Sequence, residues 1–261
     1  MKWGKRLLAL GLCLCLSFAV PAPRITQAAV LITKAAKEGW VTKSGKTYYY
    51  VKGKKVTGVY KVGKKLYAFD SKGVLQGKTP VFVWKNKYYQ VSKKGVAKQW
   101  KGVDALAAKK IASFPAKATV EAKLILSFTY CRDLTYLRVS APSGASEAAM
   151  AEYYGKIGLS QGVGDCSVQA YTFCYLAKVL GYDVKVVNGY TQSTTYNEHS
   201  WVELTKSKKA YVCDPNFSKE FGEKITVTGK YPLGMMVRYG AKNTPKYFRM
   251  DKTEILAKTK A

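Results

Sequence analysis

The sequence predicts an α+β protein: a small all-β stack of hairpin repeats followed by a larger domain in which helices come first and strands after. Three observations predict it. Turn residues and aromatics recur about every 20 positions from Gly39 to about Gln99. Alanine-rich helical patterns replace them after Gln99, and β-branched strand patterns separated by polar turns follow Gly181.

Ahead of the repeats, Lys2, Lys5 and Arg6 precede an apolar run from Leu7 to Val20, closed by the small residues Ala28 and Ala29. This pattern predicts a secretory signal peptide over residues 1–29. The run falls short of the roughly 20 residues that cross a bilayer, and no later stretch approaches that length. The expected mature protein is therefore exported, carries no transmembrane segment and is associated with the cell surface.

Each repeat holds one hairpin's worth of chain. The first runs through Gly39-Trp40, Ser44-Gly45-Lys46, Tyr48-Tyr49-Tyr50 and Lys52-Gly53; the second through Gly58-Val59-Tyr60, Gly63-Lys64, Tyr67 and Phe69. The third has Phe82-Val83-Trp84, the turn Lys85-Asn86, Tyr88-Tyr89 and Lys93-Lys94-Gly95. Glycine and asparagine supply the positive φ of a tight turn, and the flanking residues suit a pleated surface. A lone hairpin cannot bury its aromatic face, so successive units are expected to stack, with Trp40, Tyr48, Tyr50, Tyr67, Phe69, Trp84 and Tyr89 as their core.

The units resemble the cell-wall-binding repeats of Gram-positive surface proteins, of the choline- and glucan-binding kind, through Gly39-Trp40, the Gly45-Lys46-x-Tyr48-Tyr49-Tyr50 run and the Lys52-Gly53 turn. That resemblance implies aromatics offered to choline or sugars by cation-π attraction or stacking, here Trp40, Tyr49, Tyr60, Tyr67 and Trp84. The second unit has Tyr60 where the first has tryptophan, and the third has Lys78-Thr79-Pro80.

Charge marks the same region. The chain carries 44 Lys plus Arg against 16 Asp plus Glu, and residues 30–100 hold 17 of the basic and 2 of the acidic ones, a local net of +15. Outside a cell such a field draws a protein to anionic wall polymers or anionic lipid rather than to nucleic acid.

Residues 101–118 read as a linker containing a short helix, Val103 to Ile111, ended before Pro115. The domain after it, 119–261, begins with a segment from Glu121 to Tyr136 that fits a helix or a strand, helix preferred. Ser146 caps a helix through Lys156. The helix from Gly164 to Leu180 has apolar residues at Val168, Tyr171, Cys174, Tyr175 and Val179, and Gly181 stops it. A strand follows from Asp183 to Gly189, then a polar loop from Tyr190 to Asn197, a strand from Glu198 to Leu204, and a short strand Ala210–Cys213 closed by Asp214-Pro215. Asn216 to Gly229 reads as a loop, and Tyr231 to Val237 as a last strand.

Chemistry concentrates in this domain. Cys166 falls in the first turn of its helix, where unpaired N–H groups and the helix dipole favour a thiolate. His199 is the one histidine, and strand alternation puts Trp201 beside it on the same face, where the indole would shield the imidazole. Adjacent strands would carry Asp214 to His199. The Cys166 N–H is a candidate oxyanion donor, with Gln161 a candidate for the second. No metal or cofactor is expected, since no Cys-x-x-Cys pair occurs. Beyond the leader, Cys131, Cys166, Cys174 and Cys213 remain; Cys131 to Cys213 is the candidate bridge, and Cys174 reads as a buried helix residue.

Gly164-Asp165-Cys166 opening a helix, the exit Leu180-Gly181-Tyr182-x-Val184-x-Val186-Val187-x-Gly189, then His199-x-Trp201-Val202-Glu203 and Tyr211-Val212-x-Asp214-Pro215-Asn216, resemble the transglutaminase-like family of cysteine enzymes over about residues 120–217. The resemblance implies a papain-like α+β fold and a Cys166-His199-Asp214 triad acting on a peptide or protein substrate. Hydrolysis of amide bonds, transfer to an amine, and a non-catalytic wall-binding or adhesin role all remain open at this point, with hydrolysis preferred.

Overall fold

The structure, a computed structural model, describes residues 37–192, 196–221, 230–242 and 244–249. The expected leader lies outside the described residues.

Strands β1 (Gly39–Lys43) and β2 (Lys46–Val51) form the first hairpin, with Trp40 opposite Tyr49. Ser44 and Gly45 turn it at φ 49° and 70°, the backbone hand that suits strand twist. β3 (Lys54–Lys55) completes a sheet ordered β1-β2-β3. The second unit gives β4 (Gly58–Val62) and β5 (Lys65–Phe69), and the third gives β6 (Thr79–Trp84) and β7 (Lys87–Val91). A further strand, β8 (Val96–Gln99), pairs with both β5 and β7, so the second and third units share one sheet ordered β4-β5-β8-β7-β6. Gly58 is required by contact: a Cβ there would stand 2.2 Å from the Trp84 indole. The expected aromatic core is only partly realised. Phe69 and Tyr89 are buried, whereas Trp40 is 43% exposed, because the first sheet has three short strands and covers little.

From Lys37 onward the described residues make one compact unit. Val81 and Tyr88 of the hairpin sheet and Trp100 just after it pack against the larger core, and the Trp100 indole N–H donates to the Pro80 carbonyl at 3.1 Å.

That core is built around one helix. α1 (Gly102–Ala112), α2 (Val120–Arg132) and α3 (Glu147–Gln161) surround α4 (Cys166–Val179). Thr119 and Ser146 cap α2 and α3 through their hydroxyls, and Gly162, in left-handed conformation, ends α3. Val168, Ala170, Phe173, Leu176, Ala177 and Val179 bury most of the circumference of α4, as a central helix requires. Gly158 lets α3 approach it, since a Cβ there would lie 2.0 Å from the Thr172 hydroxyl. Phe128 of α2 meets Phe173 edge to face with centroids 5.5 Å apart.

The other face of α4 lies on an antiparallel sheet. Its strands are β9 (Asp183–Gln192), β10 (Tyr196–Lys206), β11 (Lys209–Cys213), β12 (Met235–Val237) and β13 (Lys246–Arg249), ordered β12-β11-β10-β9-β13. The short helix α5 (Pro215–Phe221) follows β11.

Four expectations are corrected. The first helix of the larger domain stops at Arg132, not Tyr136. The polar loop from Tyr190 is largely strand, because Tyr190 pairs with Glu198 on one side and with Phe248 of β13 on the other. Asp214-Pro215 opens α5 rather than only closing a strand: the Asp214 carboxylate accepts the Phe217 N–H at 3.0 Å, and proline suits the first helical position. The candidate bridge is not formed, and all four described cysteines are free. Cys131 and Cys213 serve the core as small apolar groups; burial raises both thiols, Cys213 to about 12. Cys174 is half-buried against the same core and raised to about 11 by burial.

Candidate active site

Asp165 fixes the start of α4. One carboxylate oxygen accepts the N–H groups of Ser167 and Val168 at 3.1 and 3.2 Å, and the other accepts that of Val139 at 3.0 Å. Gly164 beside it is required by packing, since a Cβ would meet Val168 at 2.2 Å. Cys166 is thereby held at the first helical position, half-exposed, with its thiol in a cleft of about 750 Å³ and its N–H among the orphan donors of the helix.

His199 reaches the same cleft from β10, and Asp214 from the end of β11. The register Val202 opposite Cys213 places Asp214 diagonally across from His199, and His199 Nε2 lies 2.7 Å from Asp214 Oδ2. With Nε2 so occupied, Nδ1 is the nitrogen left for Cys166, whose side chain shares the cleft and favours the charged ring. Burial works against a charged imidazole here, but the Asp214 carboxylate and Cys166 outweigh it and raise His199 from 6.5 to about 10. Asp214 itself is fully buried and its acceptors are in use, taking the Phe217 N–H on Oδ1 and, on Oδ2, His199 and the Tyr247 hydroxyl at 2.9 Å.

Trp201 stands where strand alternation places it. Its ring is stacked 6.4 Å from that of His199 and is wholly buried. The indole N–H donates to the Tyr239 hydroxyl at 2.8 Å, and Tyr239 in turn donates to the buried Glu203, which also pairs with Arg249 and Lys185. Three sequence-predicted residues, Cys166, His199 and Asp214, thus come together, and Trp201 backs them. Gln161 does not join them: it is exposed at the end of α3 and lines no part of the cleft, because the left-handed turn at Gly162 carries the chain away before Cys166.

Tyr247 and Tyr239 were not legible as site residues. They lie more than thirty positions beyond His199, and only the pairing of β13 with β9 brings Tyr247 to Asp214. Alternation in Tyr247-Phe248 could have flagged a strand, but not its partner. Tyr136 and Arg138 also line the cleft, as do Glu198, Glu220 and Lys246. Burial and the neighbouring charges of Cys166 and Asp165 raise the Tyr136 phenol. Among the described residues no group of three or more His, Cys, Asp or Glu could hold a metal ion.

In the hairpins, Trp40, Tyr49, Tyr60 and Tyr67 form one cluster: Trp40 meets Tyr49 and Tyr67 edge-on at 5.0 Å each, and Tyr49 lies 6.0 Å from Tyr60. Trp84 stands apart, packed on Gly58 and the core of the second sheet.

Residues 107–215 match the profile of the Transglutaminase-like superfamily, so this stretch is a transglutaminase-like domain. No curated protein matches the chain. Among solved structures, the choline-binding domain of Spr1274 from Streptococcus pneumoniae is 28% identical, with a TM-score of 0.23, covering 24% of this chain and 77% of that one. A candidate cysteine protease from Cytophaga hutchinsonii is 16% identical with a TM-score of 0.33, covering 44% and 36%. A structure described as a TGase is 17% identical with a TM-score of 0.36, covering 59% and 44%. The chain thus spans less than half the length of the last two. No described helix is long and apolar enough to cross a membrane.

Proposed function

We propose that this protein is an exported, wall-associated cysteine enzyme that cleaves amide or peptide bonds of surface proteins or wall peptides through a Cys166-His199-Asp214 triad. In this reading residues 30–100 bind the wall, 101–118 join while packing α1 on the catalytic core, and 119–261 catalyse. The observation that carries it is the meeting, in one cleft, of a thiol at a helix N-terminus, an imidazole, and a buried carboxylate hydrogen-bonded to that imidazole.

The Cys166 thiolate adds to the carbonyl carbon, and the oxyanion draws on the Cys166 N–H. The C–N bond then breaks, His199 gives its proton to the departing amine, and a thioester remains on Cys166. Water, losing a proton to His199, adds to the thioester and releases an acid and the thiol. Asp214 holds the ring in orientation and stabilises its charged form. Tyr247 and the Phe217 N–H hold Asp214.

Transfer to an amine is the second reading. Glu198 and Glu220, both exposed on the cleft walls of a strongly basic chain, suit a cationic amine as the thioester's acceptor. Incubation with wall peptides and a labelled primary amine separates the two: new carboxyl termini without label mean hydrolysis, and covalent label means transfer. Absence of both, with Cys166 unreactive towards iodoacetamide below pH 8, sinks the enzyme reading.

For the hairpins, the half-exposed Trp40 and Tyr60 and the surrounding lysines support attachment to a wall polymer. Retention of the full chain on choline resin, glucan or an anionic polymer identifies which.

A further inference from the structure

The segment between α2 and α3 runs beside the residues that lead into Cys166. Thr135 forms a parallel bridge with Val163. The Thr135 N–H donates to the Gly162 carbonyl at 3.1 Å, the Gly164 N–H to the Thr135 carbonyl at 2.9 Å, and the Leu137 N–H to the Gly164 carbonyl at 3.4 Å. The Val139 N–H is taken by the Asp165 carboxylate. All these bonds fall on odd-numbered residues of the segment. In extended chain the main-chain groups of successive residues point to opposite edges, so those of Tyr136 and Arg138 point to the other edge. Among the described residues neither N–H has a hydrogen-bond partner. The side chains of both line the cleft that holds Cys166, and Tyr136 and Leu137 are 52% and 53% exposed.

We propose that residues 135–139 are a template strand on which the acyl-donor substrate docks an extended stretch of its own main chain, so that the enzyme takes amides within an extended peptide rather than small free amides. This rests on Cys166 being the nucleophile. A free strand edge with unpaired donors attracts another extended chain. Its paired edge is fastened to the cap of α4, so the template and the nucleophile are held in one register by Asp165. Tyr136 and Arg138, two residues apart, flank alternate side chains of a docked peptide.

The test needs no knowledge of the natural substrate. The full chain is treated with N-acetyl-trialanyl chloromethyl ketone, whose carbon bonds to the Cys166 sulfur with loss of chloride, with analogues methylated at each amide nitrogen in turn, and with iodoacetamide. Labelling of Cys166 is followed by peptide mass spectrometry. At least one N-methyl analogue is expected to label about tenfold more slowly than the parent, the worth of one main-chain hydrogen bond. Arg138→Pro, which removes the N–H while keeping the chain extended, is expected to slow the parent reagent by a similar factor and Arg138→Ala far less, with iodoacetamide unaffected in both. Equal rates for all peptide reagents, with fast iodoacetamide labelling, overturn the template alone. Failure of iodoacetamide to label Cys166 below pH 8 overturns the nucleophile reading and the template with it.

Discussion

Replacing Asp214 by Asn removes the charge behind His199 and leaves its shape. Each tenfold change in proton affinity corresponds to about 1.4 kcal/mol, so the rise of His199 from 6.5 to about 10 represents about 5 kcal/mol of preference for the charged ring. Burial opposes that rise, so the Asp214 and Cys166 contributions together exceed it. In Asp214→Asn burial is largely unopposed, and a ring only 10% exposed falls below its ordinary value and is neutral at pH 7. Cys166 then loses the charged ring beside it, and its thiolate loses that counter-charge. Alkylation of Cys166 by iodoacetamide at pH 6.5 is therefore expected to slow by about tenfold or more against the unaltered protein, with circular dichroism confirming the fold. The stability linkage has a definite direction. A folded-state pKa raised above 6.5 contributes stability that is complete below pH 6.5 and is lost as pH climbs towards 10. Asp214→Asn should accordingly flatten the decline of unfolding free energy across that window. Alkylation within about threefold of the unaltered rate, in a folded variant, would refute the coupling of Asp214 to the thiol through His199.

Tyr247→Phe removes one of the hydrogen bonds that hold Asp214, and a loss of about tenfold in the proposed hydrolysis of wall peptides is expected, with the alkaline limit of the pH profile moving rather than the substrate KM. Gly189→Ala would set a Cβ 2.1 Å from the Phe248 carbonyl and 2.9 Å from the Trp201 ring; thermal unfolding should show about 1–3 kcal/mol of destabilisation, and unchanged melting would mean that β13 is not held as described. Trp40→Ala should leave Cys166 alkylation unchanged while lowering retention on the wall ligand, and equal retention would remove Trp40 from the binding surface. Titration of protein lacking residues 1–29 with a thiol reagent should count four thiols after denaturation without reductant, with Cys131 and Cys213 inert until unfolding; a count of two would restore the bridge.

Local features of this chain were written in its sequence because local physics decides them. The tight turns at Ser44-Gly45 and Lys85-Asn86, the cap at Ser146, the stop at Gly181 and the helix that carries Cys166 each depend on residues within a few positions. The pairing of His199 with Asp214 was legible for a related reason: one hairpin joins them, and antiparallel register carries one to the other. Trp201 followed from period-2 alternation. The tertiary structure alone decided what depends on long-range pairing. Tyr247 reaches Asp214 because β13 adds to the far edge of β9; β8 enters between β5 and β7 and fuses two repeats into one sheet; residues 135–139 lie against the approach to Cys166. Gln161, near Cys166 in the chain, is sent elsewhere by a single left-handed glycine. Sequence distance predicts contact only while the intervening chain is one regular element or one turn, and beyond that the burial of shared apolar faces chooses the neighbours.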